Sequence, residues 1–491
     1  MIKFFSNLVR KKPEKTKTMV RYNPYEGSSQ VARLGDFSIW GNSANADLEH
    51  SLESLRNRSR HLYRNSPYFR RWVKQLQTNV VGHKGFQIQV TAKNLDGGMD
   101  KSGNEKVKVH WNKWGKIVTA DGMMSIAEAC KMAIRTWARD GECFAEIAYG
   151  SQFPHGMALH FFESDMVDHT LNRARQGSAN EIRMGVEIDR YGKPVAYHVL
   201  QYHPGDVHWT GQNAKQRRRV PADRIIHLFI KDRPSQVRGE PAVAAAMLTI
   251  KMLDGYRDAE VTGRRVASAK GGFFVKERGA NGSLSSIADE VEEDTSGLVM
   301  EAHPGKMTAL PEGWRFEKFD MSEFSTDYKD FESQMIRAIA MALDTSYISI
   351  SGDLTSVSYS SIRSGEVSDR DVWRGLQAFL VEGFLSKVNS KWYDAAFQFS
   401  DIRLPYDRRE KWRDATSFRG RGWSWVDPAK EVQASKEAIE AGLTTLTDVV
   451  NEQGGDVEEI LRKKQSEAEM EADYDVNFTN KDAPDSGNSE G

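Results

Sequence analysis

The sequence predicts an α+β fold in which two long helical rods stand beside a mixed helix–strand domain. Three observations lead there. From Gly239-Glu240-Pro241 the chain runs AVAAAMLTIKMLDGYRDAEVTGRRVASAK without proline until Gly271-Gly272. Proline at the first helical position and glycine just past the end are the usual boundaries of a helix. Such a rod over 241–270 would be about 45 Å long at 1.5 Å per residue. A second helical pattern spans 325–343, with Tyr328, Phe331, Met335, Ile339 and Ala342 at three- and four-residue spacing. Third, alternating apolar runs before Gly239 interleave with amphipathic segments, as a mixed domain requires. Two rods joined by a small insert cannot bury all their apolar surface alone, so the fold calls for neighbours.

In chain order, 47–63 reads as a helix with Leu48, Leu52, Leu55 and Leu62 on one face and Arg56, Arg58 and Arg60 on the other. Asn65-Ser66-Pro67 ends it and opens a second helix with Phe69, Trp72, Val73, Leu76 and Val80 as its apolar stripe. The basic residues Arg64, Arg70, Arg71 and Lys74 beside that stripe are a solvated face, a subunit contact or a phosphate contact. Phe86, Ile88 and Val90 alternate as a strand, and 94–104 is a polar loop. Val107, Trp111 and Trp114 share a helix face. Ser125 and Glu128 form a capping box for a helix carrying Ile126, Cys130, Ala133, Ile134 and Trp137, with Gly141 behind it. Strands are predicted over 142–149, 157–162 and 225–230, and a hairpin over 187–200 through Asp189-Arg190-Tyr191-Gly192.

Beyond the second rod, 344–361 is rich in Ser, Thr and Gly and reads as a loop between helices. A helix bearing Val367, Val372, Leu376 and Phe379 follows. Asp427-Pro428, Thr444 or Thr445, and Asp456 with Glu459 open three short helices near the end. The acidic stretch after Gln465 is poor in large apolar residues and reads as disordered.

The 491 residues suffice for two to four domains and a sizeable core. Apolar residues make up 39% and charged ones 28%, with a net charge of −1, so no global basic field marks a nucleic-acid binder. Cys130 and Cys143 are too few for a disulfide framework and lack the spacing of a zinc site, which points to a reducing compartment. No run approaches 18 apolar residues, so no membrane helix is expected. The basic segment MIKFFSNLVRKKPEKTKTMVR lacks the apolar run of a signal peptide. Residues 1–40 read as a mobile arm, whether solvated tail, contact arm or removable leader.

Chemistry is sparse. The phosphate-cradling Gly-x-x-x-x-Gly-Lys-Ser/Thr is absent, as are His-Glu-x-x-His and Gly-x-Ser-x-Gly. His198, His203 and His208 recur at five-residue spacing, which suits neither a helical nor a tight-turn metal site, and His227 lies in a strand. Glu163, Asp165, Asp168 and His169 are the other cluster capable of holding a divalent cation, or of serving a nuclease or phosphotransferase. No catalytic residue, cofactor or metal is expected, which shifts weight from an enzyme to a structural or assembly protein.

Several segments, in order, resemble the portal proteins of tailed bacteriophages, specifically the lambda-type family. They are LRNRSRHLYRNSPYFRRWVKQLQTNVVGHKG (55–85), Asp140-Gly141-Glu142, VPADRIIHLFIKDRPSQVRGEP (220–241), Tyr359 to Gly365, and Trp423 to Leu446 with its Asp-Pro-x-Lys-Glu and Gly-Leu. The likeness covers about residues 40–465. It implies a ring, usually of twelve copies, at one capsid vertex, through which terminase pumps double-stranded DNA. It further implies contacts with the terminase large subunit, the major capsid protein and scaffold, and head-completion proteins. Assembly would take place in the host cytoplasm, and the product would be part of the virion and serve genome packaging, head–tail joining and ejection. A head–tail connector that does not thread DNA is the alternative.

The family architecture maps onto the chain as an arm (1–40), wing (41–240), first stem helix (241–270), clip (271–320), second stem helix (321–344), tunnel loop (345–361), long wing helix and return (362–425), helical crown (426–465) and acidic tail (466–491). On this reading Lys251, Asp254, Arg257, Asp258, Glu260, Arg264 and Arg265 pair between subunits or face the channel. Phe273, Phe274, Val275, Leu298, Val299 and Met300 form two strand-like runs on a docking surface. Between Arg337 and Arg363 there is no Lys or Arg. Ser349, Ser351, Asp353, Thr355 and Ser356 would therefore touch DNA weakly and without sequence preference, letting it slide rather than grip.

Overall fold

The computed structural model describes residues 41–206, 216–268, 272–276, 314–318, 328–355, 358–423 and 428–474. Helix α1 (Ala44–Asn65) and helix α2 (Pro67–Leu76) meet at Ser66, whose extended backbone and following proline break the rod as expected. The Ser66 hydroxyl does not cap α2; it is buried without a partner. A π turn, Gln77–Val81, carries α2 into Gly82 at φ +75°, a left-handed angle that suits glycine. Strand β1 (Gln87–Val90) and helix α3 (Lys101–Trp114) follow, and then α4 (Ile126–Asp140). The Ser125–Glu128 capping box opens α4 and Gly141, at φ +88°, closes it.

The strands of the mixed domain form two antiparallel sheets. In one, β2 (Glu142–Tyr149) is flanked by β3 (Met157–Phe162) and β8 (Ile225–Phe229). The other has the order β4 (Glu181–Arg183), β5 (Val186–Ile188), β6 (Pro194–Leu200), β7 (Arg217–Pro221). Periodicity does not reveal β7, because its sequence is Arg-Arg-Arg-Val-Pro. It is a strand because each arginine meets a carboxylate: Arg217 with Asp168, Arg218 with Glu146 and Arg219 with Glu187.

The first rod is shorter than its sequence pattern. Helix α5 (Met247–Ser268) is preceded by one 3-10 turn, Ala244–Ala246, and the Ala242 amide reaches back to the Ala138 carbonyl at the end of α4. Lys270 lies outside the described residues. Strands β9 (Gly272–Lys276) and β10 (Trp314–Lys318) pair antiparallel. The β10 strand was not anticipated. Leu298, Val299 and Met300 lie outside the described residues.

Helix α6 (Tyr328–Ala342) is the second rod, and it runs antiparallel to α5. Arg257 faces Glu332 while Arg264, further along α5, lies over Tyr328. Helix α7 (Tyr347–Ser351) occupies part of the stretch expected to be a loop. Helix α8 (Tyr359–Leu380) passes through a π turn at Val381–Leu385 into α9 (Ser386–Phe399). Gly383 in that turn permits the approach to β8, since a Cβ there would sit 2.5 Å from Leu228 Cδ1.

Helix α10 (Arg409–Asp414) and strand β11 (Thr416–Arg419), which pairs with β1, complete the return. Helices α11 (Pro428–Glu440), α12 (Leu446–Glu452) and α13 (Val457–Tyr474) end the described chain. A Thr445–Asp448 capping box opens α12. Helix α13 extends through Tyr474, into the stretch expected to be disordered. Low apolar content misleads here, because Glu, Lys, Gln and Ala are strong helix formers and Glu459–Lys463 makes an i,i+4 pair.

One core contains Phe69, Val107, Trp111, Trp114, Ile134, Phe384 and Trp392 and lies between helices and the β2 sheet. The other, around Leu52, Phe144, Val186, Tyr197 and Val199, joins α1 to the second sheet.

Candidate functional site

The segments that stood out in the sequence converge on one fully buried carboxylate. Glu142, at the start of β2, has no solvent exposure. Arg238 donates to it from Nε and Nη2, the latter at 2.6 Å from Oε1. Arg56 Nη2 lies 3.2 Å from the same oxygen. His227 Nε2 lies 3.0 Å from Oε2, which also accepts the Gly239 amide at 3.1 Å. The remaining Arg238 donors reach the carbonyls of Ser164, Val167 and Met184. Arg238 is thereby fully saturated, and its guanidinium lies over the Phe144 ring.

Charge balance extends outward. Arg56 Nη1 bonds Asp165 at 3.0 Å, and Arg60 bridges Asp165 and Asp140. Arg139 shares Asp140. Burial alone would raise the Glu142 pKa, but the Arg238 and Arg56 charges and the His227 contact hold it well below the usual carboxylate range. Burial lowers the His227 pKa to about 4 despite Glu142, so the ring is neutral at pH 7. Backbone approach completes the junction. A Cβ on Gly141 would lie 2.3 Å from the Glu240 carbonyl carbon, and one on Gly239 would lie 2.1 Å from the Gly141 oxygen.

The cation candidates separate. Asp168 binds Thr170 and Arg217, and His169 faces Glu53 at 3.5 Å. His198 faces Glu187, and His208 lies outside the described residues. Glu163 and Asp165 instead converge with His203. Asp165 is already held by two arginines, whose charges oppose a metal ion. The buried ion-pair cluster clamps α1, α4, β2 and the segment before α5 together.

On the rods, Tyr256 stacks on Tyr328 at 5.7 Å and packs against Phe331 at 4.5 Å. Arg257 is engaged within the subunit by Glu332 and the Tyr68 hydroxyl, and Arg264 by Glu260 one turn earlier. Lys251, Asp258 and Arg265 are exposed, and burial raises the Asp254 pKa. Leu248, Met252 and Met341 leave 66%, 58% and 78% of their surface uncovered.

In the expected loop, Ser346 caps α7, and the buried Asp369 of α8 accepts from the Ser346 amide (2.8 Å), the Ser346 hydroxyl (2.7 Å) and the Ser349 hydroxyl. Arg71 Nε and Gln75 Nε2 both donate to the Ser349 carbonyl at 2.7 Å. Ser349 thus anchors α7 within the subunit, with both its polar groups occupied. Ser351 accepts the Asp353 amide, and Asp353 accepts from Thr355. Asp353 is half-buried and Thr355 exposed, while Ser356 lies outside the described residues. No basic residue occurs in this stretch, yet the fold brings Arg71 against it and sets Arg337 over the Tyr347 ring at 4.9 Å.

Residues 32–377 match the phage portal protein, lambda family, profile. The chain belongs to the lambda family of phage portal proteins. A probable portal protein of Halomonas phage phiHAP-1 is 31% identical over 464 residues, covering 92% of this chain and 86% of the relative. Portal protein B of Escherichia phage lambda is 25% identical over 318 residues, 60% of this chain and 59% of its own length. Among solved structures, a chain in the neck of an empty GTA particle aligns with TM-score 0.45 and 14% identity, covering 82% of this portal protein and 93% of that chain. As a portal protein the chain functions at the capsid vertex.

Proposed function

We propose that this portal protein assembles as a homo-oligomeric ring, of twelve copies on the family pattern, whose central channel carries double-stranded DNA. Residues 41–240 act as wing, α5 and α6 as stem, 271–320 as clip, the segment around α7 as tunnel loop and α11 to α13 as crown. Terminase delivers the DNA during packaging. The major capsid protein and scaffold surround the ring, head-completion proteins seal it, and assembly takes place in the host cytoplasm. The protein acts as a conduit and not a catalyst, consistent with carboxylates held by arginine rather than free to react.

The observation that carries this reading is the uncovered apolar stripe on the stem. Leu248 and Met252 lie one turn apart on α5, and Met341 on α6 is more exposed still. A copy of the same chain supplies the missing cover if a different face of the neighbour meets it, the arrangement that closes a ring. Native mass measurement and negative-stain microscopy test the proposal directly. The expected result is one large oligomer with a central hole, which Leu248→Glu with Met252→Glu reduces to monomers. A monomeric wild-type protein, or an assembly without a hole, would overturn it.

A further inference from the structure

The His110 and His155 rings turn nitrogens toward one another, with Nδ1 of the first 3.1 Å from Nε2 of the second and the ring planes at 83°. His110 lies in α3, and His155 lies 45 positions on, in the 3-10 turn Pro154–Gly156 that joins β2 to β3. At that separation no local motif links them. A third donor comes from just past the end of α9, where Asp401 brings Oδ1 to 3.8 Å from the same His110 nitrogen. The His110 side chain is largely buried whereas Asp401 is 78% exposed, so the carboxylate can turn toward the rings without disturbing the packing. His155 is fixed by its backbone, at φ +55°, a left-handed angle uncommon for a residue with a side chain. Its ring lies 6.1 Å from that of Trp392, and the next residue, Gly156, is pressed so close to Phe399 that a Cβ would meet Cδ2 at 2.6 Å.

Two nitrogens bound to one tetrahedral zinc ion, each at about 2.0–2.1 Å, stand about 3.3–3.4 Å apart, a few tenths of an ångström from the spacing seen here. A hydrogen bond between the rings fits the same spacing but leaves the strained backbone and the converging carboxylate without a purpose. Imidazoles with one carboxylate form a donor set for Zn²⁺ and its transition-series neighbours, whereas Mg²⁺ and Ca²⁺ favour oxygen ligands. Burial lowers both imidazole pKa values, that of His155 to about 4, and the Lys113 charge acts in the same sense. Both rings are therefore neutral at pH 7, the form that ligates a metal. The group of Glu163, Asp165 and His203 differs in this respect, because Arg60 lies 3.8 Å from Glu163 and pairs with Asp165. No arginine or lysine pairs with Asp401 among the described residues.

We propose that His110, His155 and Asp401 hold one ion of the Zn²⁺ class, a staple tying α3, the β2–β3 turn and the segment leaving α9. Three protein ligands leave a fourth position for water. An ion bound only by the folded chain stabilises it in proportion to its affinity.

Titration calorimetry with zinc chloride on untagged, full-length protein stripped by a chelator tests this. The expected result is one zinc ion per subunit. His110→Gln and His155→Gln each weaken binding about ten-fold or more, since even the partners behind a ligand are worth that much. Asp401→Asn weakens it less, His203→Gln leaves it unchanged, and magnesium chloride does not bind. A zinc-edge absorption spectrum of the wild-type protein reads the ligand set without any variant, and two imidazoles at about 2.0–2.1 Å are expected. Absence of saturable zinc binding, a spectrum without imidazole ligands, or an affinity unchanged in His110→Gln and His155→Gln but lost in His203→Gln would sink the assignment.

Discussion

Arg238 and Glu142, 96 residues apart in the chain, form a fully buried ion pair whose closest atoms are 2.6 Å apart. The pair fixes the point where β2 meets the segment leading into the first rod. Its energetic sign follows from burial. Attraction between two desolvated charges roughly repays the cost of removing them from water, but losing one partner leaves the other uncompensated.

Replacing Glu142 with Gln is therefore expected to destabilise the subunit by about 3–5 kcal/mol, since two buried guanidinium groups, Arg238 and Arg56, lose their shared anion. Denaturant unfolding of the dissociated subunit measures it. A change under about 1 kcal/mol would contradict the role assigned here.

Acid should unfold this junction ahead of the rest. His227 has a folded pKa near 4 against about 6.5 unfolded, so the unfolded chain binds the extra proton as pH falls through that window. Glu142 is depressed below the ordinary carboxylate pKa of about 4.3, and its contribution is present above that value and lost as pH drops further. Both terms weaken the fold on acidification. The expected loss is about 3 kcal/mol between pH 6.5 and 4 from His227. Its replacement by Gln should flatten that part of the stability–pH curve, measured by thermal unfolding.

Gly141 and Gly239 leave no room for a side chain, and Gly141 also has φ +88°. Either Gly→Ala change sets a Cβ against backbone that cannot swing away, so each should cost about 3 kcal/mol or more and lower the yield of soluble protein. Gly192, which has open space around it, offers the control: Gly192→Ala pays only for its own positive φ, about 1 kcal/mol.

The turn at α7 is held from two sides, by Asp369 and by Arg71 with Gln75. Asp369→Ala should release it, raising amide exchange at Ser346 and Ser349 at least about ten-fold, as loss of a hydrogen bond to a charged group worth 1.5–3 kcal/mol implies. Arg71→Ala should act in the same direction and more weakly. Unaltered exchange in Asp369→Ala would mean that packing of Ile350, not the hydrogen bonds, holds the turn.

Lysines at Ser351 and Ser356 address sliding. Added positive charge grips phosphate, so S351K with S356K should slow DNA packaging, and more so at low salt. Packaging at the wild-type rate would remove this stretch from the DNA path.

What was legible in the sequence is local. Helix 126–140 could be placed from Ser125 and Glu128, helix 446–452 from a threonine start, and the rods from apolar spacing, because capping and periodicity act within about four residues. Family membership was legible too, as ordered short motifs. Helix α13 beyond Gln465, the α7 turn and β7 were misread or missed, since propensity, a contact with Asp369 and carboxylate pairing of arginines decide them.

The sequence by itself determined that the two rods exist, though not where the first one starts, and the motif residues Asp140-Gly141-Glu142, His227 and Arg238-Gly239 as separate features. Only the tertiary structure decided that these motifs are one object, and that Arg71 reaches a carbonyl 278 positions away. The physical reason is range. A cap or an amphipathic stripe is satisfied by near neighbours, whereas a buried charge is tolerable only where distant segments bring its counter-charge and hydrogen bonds to the same point.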